Sequence, residues 1–304
     1  MSRKIKLIFN PIANLGKAKT LADPLRSILP AADGCDWEET AYPNHAKEIA
    51  RQAAIDGYDL VVAMGGDGTV HEVLNGLMEA PAGQRPALGV VPTGSGNDFS
   101  SAVGVPPDPV KALQRVLEAR PRTVDIGCLQ IESGPYIYWA NAIGLGFDTL
   151  VTIHSRRIPL IHGFAVYFAA VLQTILLHYL PFHVKMKVDD RQLDDEFIMM
   201  VLCNGQREGG GFYVTPAGHP DDGILDYVSV QRISRLRMLM SLPYFMKGTQ
   251  SALNYVSTGQ FHRLELISDC PLFIHVDGEI LAGFKSNVRK ISVEVIPAAL
   301  QFIG

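Results

Sequence analysis

Apolar and polar positions follow one another in two different patterns along the chain. In the first 130 residues or so, continuous apolar runs such as KIKLIFN, DLVVAMGG and ALGVVPTG alternate with stretches of helical periodicity. Helices are predicted over residues 16–29, 45–56, 69–78 and 109–119. Continuous apolar strands that alternate with helices are typical of a parallel sheet covered on both faces.

From about residue 125 the pattern changes to many short strand-like runs separated by turn signals, among them FHVKMKV, EFIMMVLCNG and KISVEVIP. Such runs at close spacing indicate an antiparallel sandwich or barrel. We therefore predict an α/β domain over residues 1–124 and a β-rich domain over residues 125–294. The last strand, residues 295–304, is left open, since it can return to the first domain and complete its sheet.

Three successive predicted strands of the first domain end in polar turns, with the sequences FNPIANLGK, MGGDGT and PTGSGND. In parallel α/β sheets, ligands bind in the crevice at the carboxyl ends of the strands. The three turns therefore predict a binding site at one edge of the sheet.

The GGDGT turn has the composition of a phosphate-binding loop. Its glycines let backbone N–H groups turn inward, and the helix that follows adds its positive end. It is not a Walker loop, because no GK[ST] follows, and it lacks the last glycine of a G-x-G-x-x-G dinucleotide fingerprint. A tight turn between a strand and a helix, without any ligand, would use glycines in the same way.

Asp67 stands among these glycines, where phosphate would repel its carboxylate unless a divalent cation lies between them or the carboxylate takes a proton from a nucleophile. Both cases indicate phosphoryl transfer. The alternative is that Asp67 caps the helix that begins near Thr69. The third turn adds hydroxyl groups at Thr93 and Ser95 and a further carboxylate at Asp98.

Composition and charge narrow the classes of partner. The chain has 304 residues, of which 47% are hydrophobic, so that it can bury a sizeable core. A net charge of −4 argues against nucleic acid as the main partner, since binding to a phosphate backbone needs a basic face. The four cysteines have no paired spacing, which indicates reduced thiols in a cytoplasmic protein rather than a zinc site.

One apolar tract, residues 163–180, is a candidate for a membrane-spanning segment. It is 18 residues long without a charged side chain, which is at the lower edge of the length that spans a bilayer. Gln173, Thr174 and His178 within the tract oppose insertion. We predict a lid helix or a core helix near a lipid site, and no stable transmembrane insertion.

The two loops GGDGTVHEVLNGL and GVVPTGSGNDFS together resemble the diacylglycerol kinase catalytic family, which includes bacterial lipid kinases and sphingosine and ceramide kinases. The similarity extends over essentially the whole chain in order. The further segments that resemble the family are FNPIANLGKA, ETAYPNHAKEIARQA, TVDIG, NGQREGGGFYVTPAGHPDDGILDYV and IHVDGE. The resemblance implies an N-terminal Rossmann-like α/β nucleotide domain related to NAD kinase, a C-terminal antiparallel β-sandwich, and transfer of the ATP γ-phosphate to a lipid hydroxyl.

The resemblance also implies catalytic roles for four acidic residues. Glu279 matches the proposed general base, with Asp125 as its partner. Asp67 and Asp98 match acidic groups placed around the phosphates and Mg²⁺. In the sphingosine kinase branch the GGDG aspartate is itself a candidate base, so that Asp67 competes with Glu279 for this role.

Binding residues follow from the resemblance in the same way. A structural Mg²⁺ site would use Asp222 and the backbone carbonyls of His219 and Ile224. The residues expected to line the ATP site are Asn10, Thr40, Gly65, Gly66, Asp67, Gly68, Thr69, His71 and Thr93.

Without the family, the later motifs have ordinary explanations. HVDGE predicts a hairpin turn with Glu279 as the first residue of the next strand, and DDG is a common turn signature. His71 suits either a phosphate site or a surface position. Several of these acids have no basic residues nearby in the sequence. This indicates that a bound cation balances their charge, and it favours a functional site over ordinary turns.

We therefore expect a lipid kinase of the cytoplasm that binds the membrane surface peripherally, with diacylglycerol or a related lipid alcohol as its acceptor. A homodimer is compatible with these expectations. Two alternatives remain, a small-molecule kinase like NAD kinase and a lipid-binding protein without catalysis. The TGSGNDF loop and the apolar tract oppose the first, and the joint presence of Asp67, Asp98, Asp125 and Glu279 opposes the second.

Overall fold

The computed structural model describes residues 3–29, 34–158 and 164–304. Contacts along the chain divide it into two compact units. Unit 1 comprises Met1–Ile126 and Pro297–Gly304, and unit 2 comprises Gly127–Ile296. The last eight residues of the chain therefore group with unit 1.

Eight α-helices and seventeen strands lie within the described residues. The helices are α1 (Ala22–Ser27), α2 (His45–Ile55), α3 (Asp67–Met78), α4 (Asp98–Ala102), α5 (Pro109–Glu118), α6 (Phe147–Ser155), α7 (Phe164–Leu177) and α8 (Arg235–Lys247). The strands are β1 (Ile5–Phe9), β2 (Cys35–Glu39), β3 (Leu60–Gly65), β4 (Ala87–Pro92), β5 (Arg122–Ile131), β6 (Tyr136–Trp139), β7 (Ala142–Gly146), β8 (Phe182–Val188), β9 (Arg191–Cys203), β10 (Arg207–Glu208), β11 (Phe212–Tyr213), β12 (Leu225–Gln231), β13 (Val256–Phe261), β14 (Arg263–Ser268), β15 (Ile274–Val276), β16 (Glu279–Ala282) and β17 (Lys290–Ile303).

Parallel strands form the sheet of unit 1. Their order is β2-β1-β3-β4, and the end of β17 pairs in parallel with β4. β3 and β4 are buried along their whole length, as their continuous apolar sequences predict. Helix α3 packs on β3, and α5 packs on β4. The parallel α/β arrangement expected from the sequence is confirmed.

The first helix differs from its prediction over residues 16–29. A 3₁₀ helix spans Lys17–Leu21, and α1 follows it as a separate short helix. Leu15 and Gly16 have positive φ angles, so that regular helix cannot begin before them. Pro24 has no N–H to donate, which removes one hydrogen bond that a continuous helix through this segment would need.

Most strands of unit 2 form two antiparallel sheets that share the long strand β9, and β10 and β11 pair separately. The first half of β9 pairs with β8, and β14 and β17 continue that sheet. The second half of β9 lies between β7 and β12, and the second sheet has the order β13-β12-β9-β7-β15-β16. Apolar side chains of both sheets form one core around the fully buried Trp139. The predicted antiparallel β-sandwich is confirmed.

The apolar tract 163–180 contains α7; residue 163 itself lies outside the described residues. Val171 and Ile175 of this helix are buried in a second core, to which α6, α8, β9 and β12 also contribute. Every helix of the described residues is too short or too polar to span a bilayer. The tract therefore forms a helix that packs within unit 2.

Candidate active site

The carboxyl ends of the parallel strands carry most of the predicted nucleotide residues of unit 1. Asn10 follows β1, Thr40 follows β2 and Thr93 follows β4. Residues 65–69 contain the end of β3 and the start of α3. Because parallel strands end at the same edge of a sheet, the fold gathers these residues at the edge where α/β sheets bind ligands.

The loops after β3 and β4 touch through two glycines. A side-chain Cβ on Gly94 would lie 2.3 Å from the Cα of Gly66, and one on Gly66 would lie 3.1 Å from the Cα of Gly94. The Thr93 N–H donates to the Gly65 carbonyl at 2.9 Å, which holds the two loops side by side. Glycine is required at this contact because backbone meets backbone with no room for a side chain.

Replacing Gly94 by alanine is expected to lower the free energy of unfolding by ~1–3 kcal/mol, because the added methyl group overpacks a backbone contact that cannot yield. Urea unfolding measures the change. Gly83 is the matched control, since nothing lies within 4 Å of a Cβ at that position. An equal loss of stability in Gly83→Ala and Gly94→Ala would contradict the close approach of the two loops.

Asp67 joins the same two loops through its carboxylate. It is the first residue of α3, and Gly66 precedes the helix in an extended conformation. One carboxylate oxygen accepts a hydrogen bond from the Asn97 N–H at 2.7 Å, and the other accepts one from the Phe99 N–H at 3.3 Å. The alternative that Asp67 is the N-cap of a helix beginning near Thr69 is wrong, because α3 begins at Asp67 and its N-cap is Gly66. The two hydrogen bonds of the carboxylate stabilise the start of α4.

Asn10 ties the first loop to the start of α3. Its amide Nδ2 donates to the Thr69 Oγ1 at 2.9 Å, and its Oδ1 accepts from the Ile12 N–H at 3.1 Å. Thr93, on the neighbouring loop, is buried, and its hydroxyl has no hydrogen-bond partner among the described residues. A buried hydroxyl without a protein partner is unusual, and it suits a position that a ligand contacts.

Helix α3 also carries His71 and Glu72. The Glu72 carboxylate accepts hydrogen bonds from the N–H groups of Asn44, at 2.9 Å, and Ala46, at 3.2 Å. Glu72 therefore caps the start of α2. His71 lies 3.4 Å from the Asn75 amide nitrogen, and the direction of that hydrogen bond depends on the imidazole tautomer.

Two further predicted acids of unit 1 are buried. Asp98 is the first residue of α4. Asp125 lies on β5, and its Oδ1 accepts a hydrogen bond from the Ala298 N–H at 2.7 Å. Ala298 has a positive φ of 48°, so that Asp125 holds a local irregularity of β17 in place. The sequence did not predict this structural role, and the pairing of Asp125 with Glu279 stays a prediction.

The hairpin predicted at HVDGE is confirmed in unit 2. Strands β15 and β16 pair in antiparallel fashion, and Asp277 and Gly278 between them have φ angles of 48° and 81°. The Asp277 carboxylate accepts hydrogen bonds from three consecutive N–H groups, those of residues 140–142, at 2.9–3.1 Å. The turn that carries Glu279 is therefore held rigidly against the start of β7.

Glu279 forms an ion pair that the sequence did not reveal. Its Oε2 lies 2.8 Å from Nη2 of Arg156, and both side chains are about half exposed. The same guanidinium donates to the Gly278 carbonyl at 2.7 Å. Arg156 follows α6 and lies far from Glu279 in sequence, which is why the acids of this region looked as if they had no basic partner.

An apolar cavity of about 80 Å³ lies within unit 2. Side chains of α6, α7, α8, β9 and β12 line it. Among its described lining residues, Asp148 and Glu208 are the acids. A mainly apolar wall with two carboxylates suits a molecule that combines hydrocarbon with a hydroxyl group.

The imidazole of His275 contacts both carboxylates that line the cavity. It is fully buried, and its Nε2 lies 2.7 Å from Asp148 Oδ2 and 3.1 Å from Glu208 Oε1. Their donor atoms lie within 4.8 Å of one another, close enough to hold a cation. Burial, followed by the Glu208 charge, raises the pKa of the nearby Cys203 thiol well above its ordinary value. Sequence reasoning missed this cluster, because its members come from three separate motifs.

The predicted structural Mg²⁺ residues lie in the turn before β12. The Asp222 Oδ1 accepts a hydrogen bond from the Ile224 N–H at 3.2 Å. Burial, followed by the Asp222 charge, raises the pKa of Asp226 from 3.8 to about 6, whereas Gln260 and His219 lower it. Because the Asp222 charge opposes the ionisation of Asp226, a divalent cation at this turn would favour the charged form of Asp226, so that the local chemistry fits the predicted site.

Comparison with known proteins agrees with this architecture in both halves of the chain. Residues 4–129 match the family model of the diacylglycerol kinase catalytic domain. Residues 141–304 match the model of the YegS C-terminal NAD kinase beta sandwich-like domain. The fold and these matches define a phosphotransferase with an alcohol group as its acceptor.

Individual relatives point to the same family. The "Probable lipid kinase YegS-like" of Chromohalobacter salexigens is 33% identical over 83% of this chain and 78% of its own length. A diacylglycerol kinase of Mycobacterium tuberculosis is 29% identical over 99% of this chain and 94% of its own. The crystal structure of a candidate diacylglycerol kinase from Bacillus anthracis is 25% identical, with a TM-score of 0.79 over 99% of this chain and 95% of its own. The chain belongs to the diacylglycerol kinase-like lipid kinase family, which confirms the resemblance of its motifs.

Proposed function

We propose that the protein uses Mg²⁺ and ATP to phosphorylate diacylglycerol or a related lipid alcohol. The observation that carries this proposal is the pair of glycine loops in unit 1, which Asp67 joins at the carboxyl edge of the parallel sheet. The apolar cavity of unit 2 favours a lipid acceptor over a dinucleotide such as NAD, whose surface is largely polar.

The start of α3 and the loop before it would hold the phosphates of ATP. The first N–H groups of a helix have no partner within the helix, and the helix dipole favours negative charge at this end. The buried Thr93 hydroxyl would donate to the nucleotide and so gain a partner. Thr40, which follows β2, and His71, in the second turn of α3, would complete the nucleotide site.

Asp67 and Asp98 would hold the Mg²⁺ that accompanies ATP. Carboxylate oxygens are the protein ligands that this ion prefers. The hydrogen bonds from the Asn97 and Phe99 N–H groups fix the direction of the Asp67 carboxylate. When bound, the ion would neutralise charge on the phosphoryl group during transfer.

Glu279 would act as the general base. Its carboxylate would take the proton of the lipid hydroxyl as the alcohol oxygen forms a bond to the γ-phosphorus. The bond from that phosphorus to the bridging oxygen of ADP breaks in the same transfer. Arg156 would act as a positioning residue, because its guanidinium holds both Glu279 and the Gly278 carbonyl.

The cavity of unit 2 would receive hydrocarbon of the acceptor. Its volume of about 80 Å³ is smaller than the ~150 Å³ cavity that binds one benzene molecule. An acyl chain would therefore enter only with movement of the surrounding helices, of which α7 and α8 form much of the wall. Asp148 and Glu208 would accept a hydrogen bond from a hydroxyl of the lipid.

A panel of acceptors tests this proposal. The protein is incubated with γ-labelled ATP, Mg²⁺ and either diacylglycerol, monoacylglycerol, phosphatidylglycerol, a sphingoid base, an isoprenoid alcohol or NAD. Label is expected in an extractable lipid, and most strongly with a glycerolipid. Labelled NADP without any labelled lipid would contradict the proposal.

Added Mg²⁺ is expected to raise the melting temperature if Asp222 belongs to a cation site. Without a cation, the raised pKa of Asp226 lowers the free energy of unfolding as the pH rises from about 4 through about 6. A bound cation offsets this loss of stability. The rise in melting temperature on addition of Mg²⁺ should therefore be larger at pH 7.5 than at pH 5. Thermal unfolding at both pH values measures it.

The controls for this experiment are two neighbouring aspartates. Asp222→Asn should abolish the Mg²⁺-dependent shift, whereas Asp221→Asn, which removes the same charge next to it, should retain it. A shift that survives in Asp222→Asn would place the bound ion elsewhere.

A further inference from the structure

Helix α8, Arg235–Lys247, is apolar on two opposite faces. Its inner face packs in the second core of unit 2, where Met238 and Phe245 are buried. The same face, together with Leu242, lines the apolar cavity. One side of α8 is therefore part of the wall of the proposed acceptor site.

The outer face of α8 is also apolar, although it is exposed. Leu236, Met240 and Tyr244 are 67%, 62% and 39% exposed, and their spacing of four residues puts them in one row along the helix. Leu239 and Met246 add exposed apolar surface beside this row. Single exposed apolar residues are ordinary, but a continuous row of them marks an interaction surface.

Positive charge accompanies this outer face. Arg235, Arg237 and Lys247 lie on α8, and the helix carries no acidic residue. The absence of acid extends over residues 227–264, in a chain whose net charge is −4. Cations next to exposed apolar side chains are the composition of helices that lie in the interface of an anionic membrane.

We propose that α8 docks unit 2 on the surface of an anionic phospholipid bilayer. The apolar row would enter the boundary between headgroups and acyl chains, and the basic side chains would contact lipid phosphates. With 13 residues, α8 is too short to span the bilayer and would lie parallel to its surface. The proposal rests on the proposed function, since it assumes a membrane lipid as the acceptor.

Docking through α8 has a consequence for substrate entry. The outer face of the helix would touch the bilayer while its inner face lines the cavity, so that one helix separates the two apolar environments. An acyl chain could pass from the membrane into unit 2 around α8 without crossing water. This arrangement would lower the cost of extracting a lipid, because its hydrocarbon would stay in apolar surroundings.

Vesicle sedimentation tests the docking surface. The full chain is mixed with vesicles of phosphatidylcholine, with and without phosphatidylglycerol, at low and high salt. Leu236→Ser/Met240→Ser should weaken binding to anionic vesicles ~10-fold or more, because two buried apolar contacts are lost. Arg237→Glu/Lys247→Glu should weaken it by a similar ~10-fold factor, and high salt should do the same to the native protein.

A second exposed face of unit 2 supplies matched controls. Lys185 and Lys187 on β8 and Ile267 on β14 are exposed, and the acids Asp194 and Glu265 lie beside them. Lys185→Glu/Lys187→Glu and Ile267→Ser should bind vesicles as the native protein does. Equal binding by the α8 variants and these controls would overturn the proposal.

Two further readouts separate this proposal from the proposed function. Phosphorylation of a short-chain diacylglycerol in detergent micelles should be unchanged in the α8 variants, since micelles supply the acceptor without docking. No phosphorylation of this acceptor by the native protein would refute the kinase proposal, whatever the vesicle result. Gel filtration should show no change of oligomeric state, and conversion of a dimer to a monomer by the α8 variants would overturn the membrane proposal in favour of a second copy.

Discussion

Glu279→Gln is expected to lower kcat by ~10²–10⁴-fold, because a positioned general base contributes a factor of this size. Glutamine keeps the size of the side chain and can still accept a hydrogen bond from Arg156, but it cannot take the proton of the acceptor hydroxyl. ATP affinity, measured with a fluorescent nucleotide, should change by no more than about twofold, since the loss concerns the chemical step.

Glu265 provides the matched control for this variant. It lies on β14, is 43% exposed and pairs with Arg263 at 3.0 Å, much as Glu279 is 46% exposed and pairs with Arg156 at 2.8 Å. Glu265→Gln should leave kcat unchanged. Normal activity in Glu279→Gln would remove Glu279 from the chemical step and leave Asp67 as the candidate base.

Asp67→Asn is expected to lower kcat by ~10³-fold or more, because an amide is a far weaker ligand for Mg²⁺ and adds no charge to balance that of the ion. The half-saturating Mg²⁺ concentration should rise together with this loss. The variant should also lose ~1 kcal/mol of stability, since the carboxylate accepts two N–H groups at the start of α4.

A variant of Asp108 is the control that separates the loss of stability in Asp67→Asn from its loss of activity. The Asp108 carboxylate caps α5 by accepting a hydrogen bond from the Lys111 N–H at 2.9 Å. Asp108→Ala, which removes this cap, should therefore lose stability to a similar extent and keep its activity. If both variants lose stability equally and both stay active, Asp67 only joins the two loops and does not hold the metal.

Local sequence patterns predicted the sheet of unit 1 and the place of its loops. Continuous apolar runs mark β3 and β4, and glycines with polar residues mark the turns at their carboxyl ends. Asp-Gly between apolar alternations likewise predicted the hairpin before Glu279. These signals depend on residues close together in the chain, which is why they could be read without the fold.

The partners of the candidate site residues could not be predicted in this way. Asp67 binds the N–H groups of a helix 30 residues further on, and Glu279 pairs with Arg156 from a different segment. The cluster of Asp148, Glu208 and His275 likewise needs three separate segments to meet. Such contacts depend on strand register and helix packing, which no single motif encodes.

Transfer of label from ATP to diacylglycerol measures the proposed reaction itself. The protein is supplied with Mg²⁺, dioleoylglycerol and ATP labelled at either the γ- or the α-phosphorus, and the extracted lipid is counted. We expect γ-label in phosphatidic acid, no α-label in the lipid, and loss of the signal with EDTA and in Glu279→Gln. A lipid fraction without γ-label, while ATP is consumed or NADP is formed, would contradict the assignment of this chain as a lipid kinase acting on diacylglycerol.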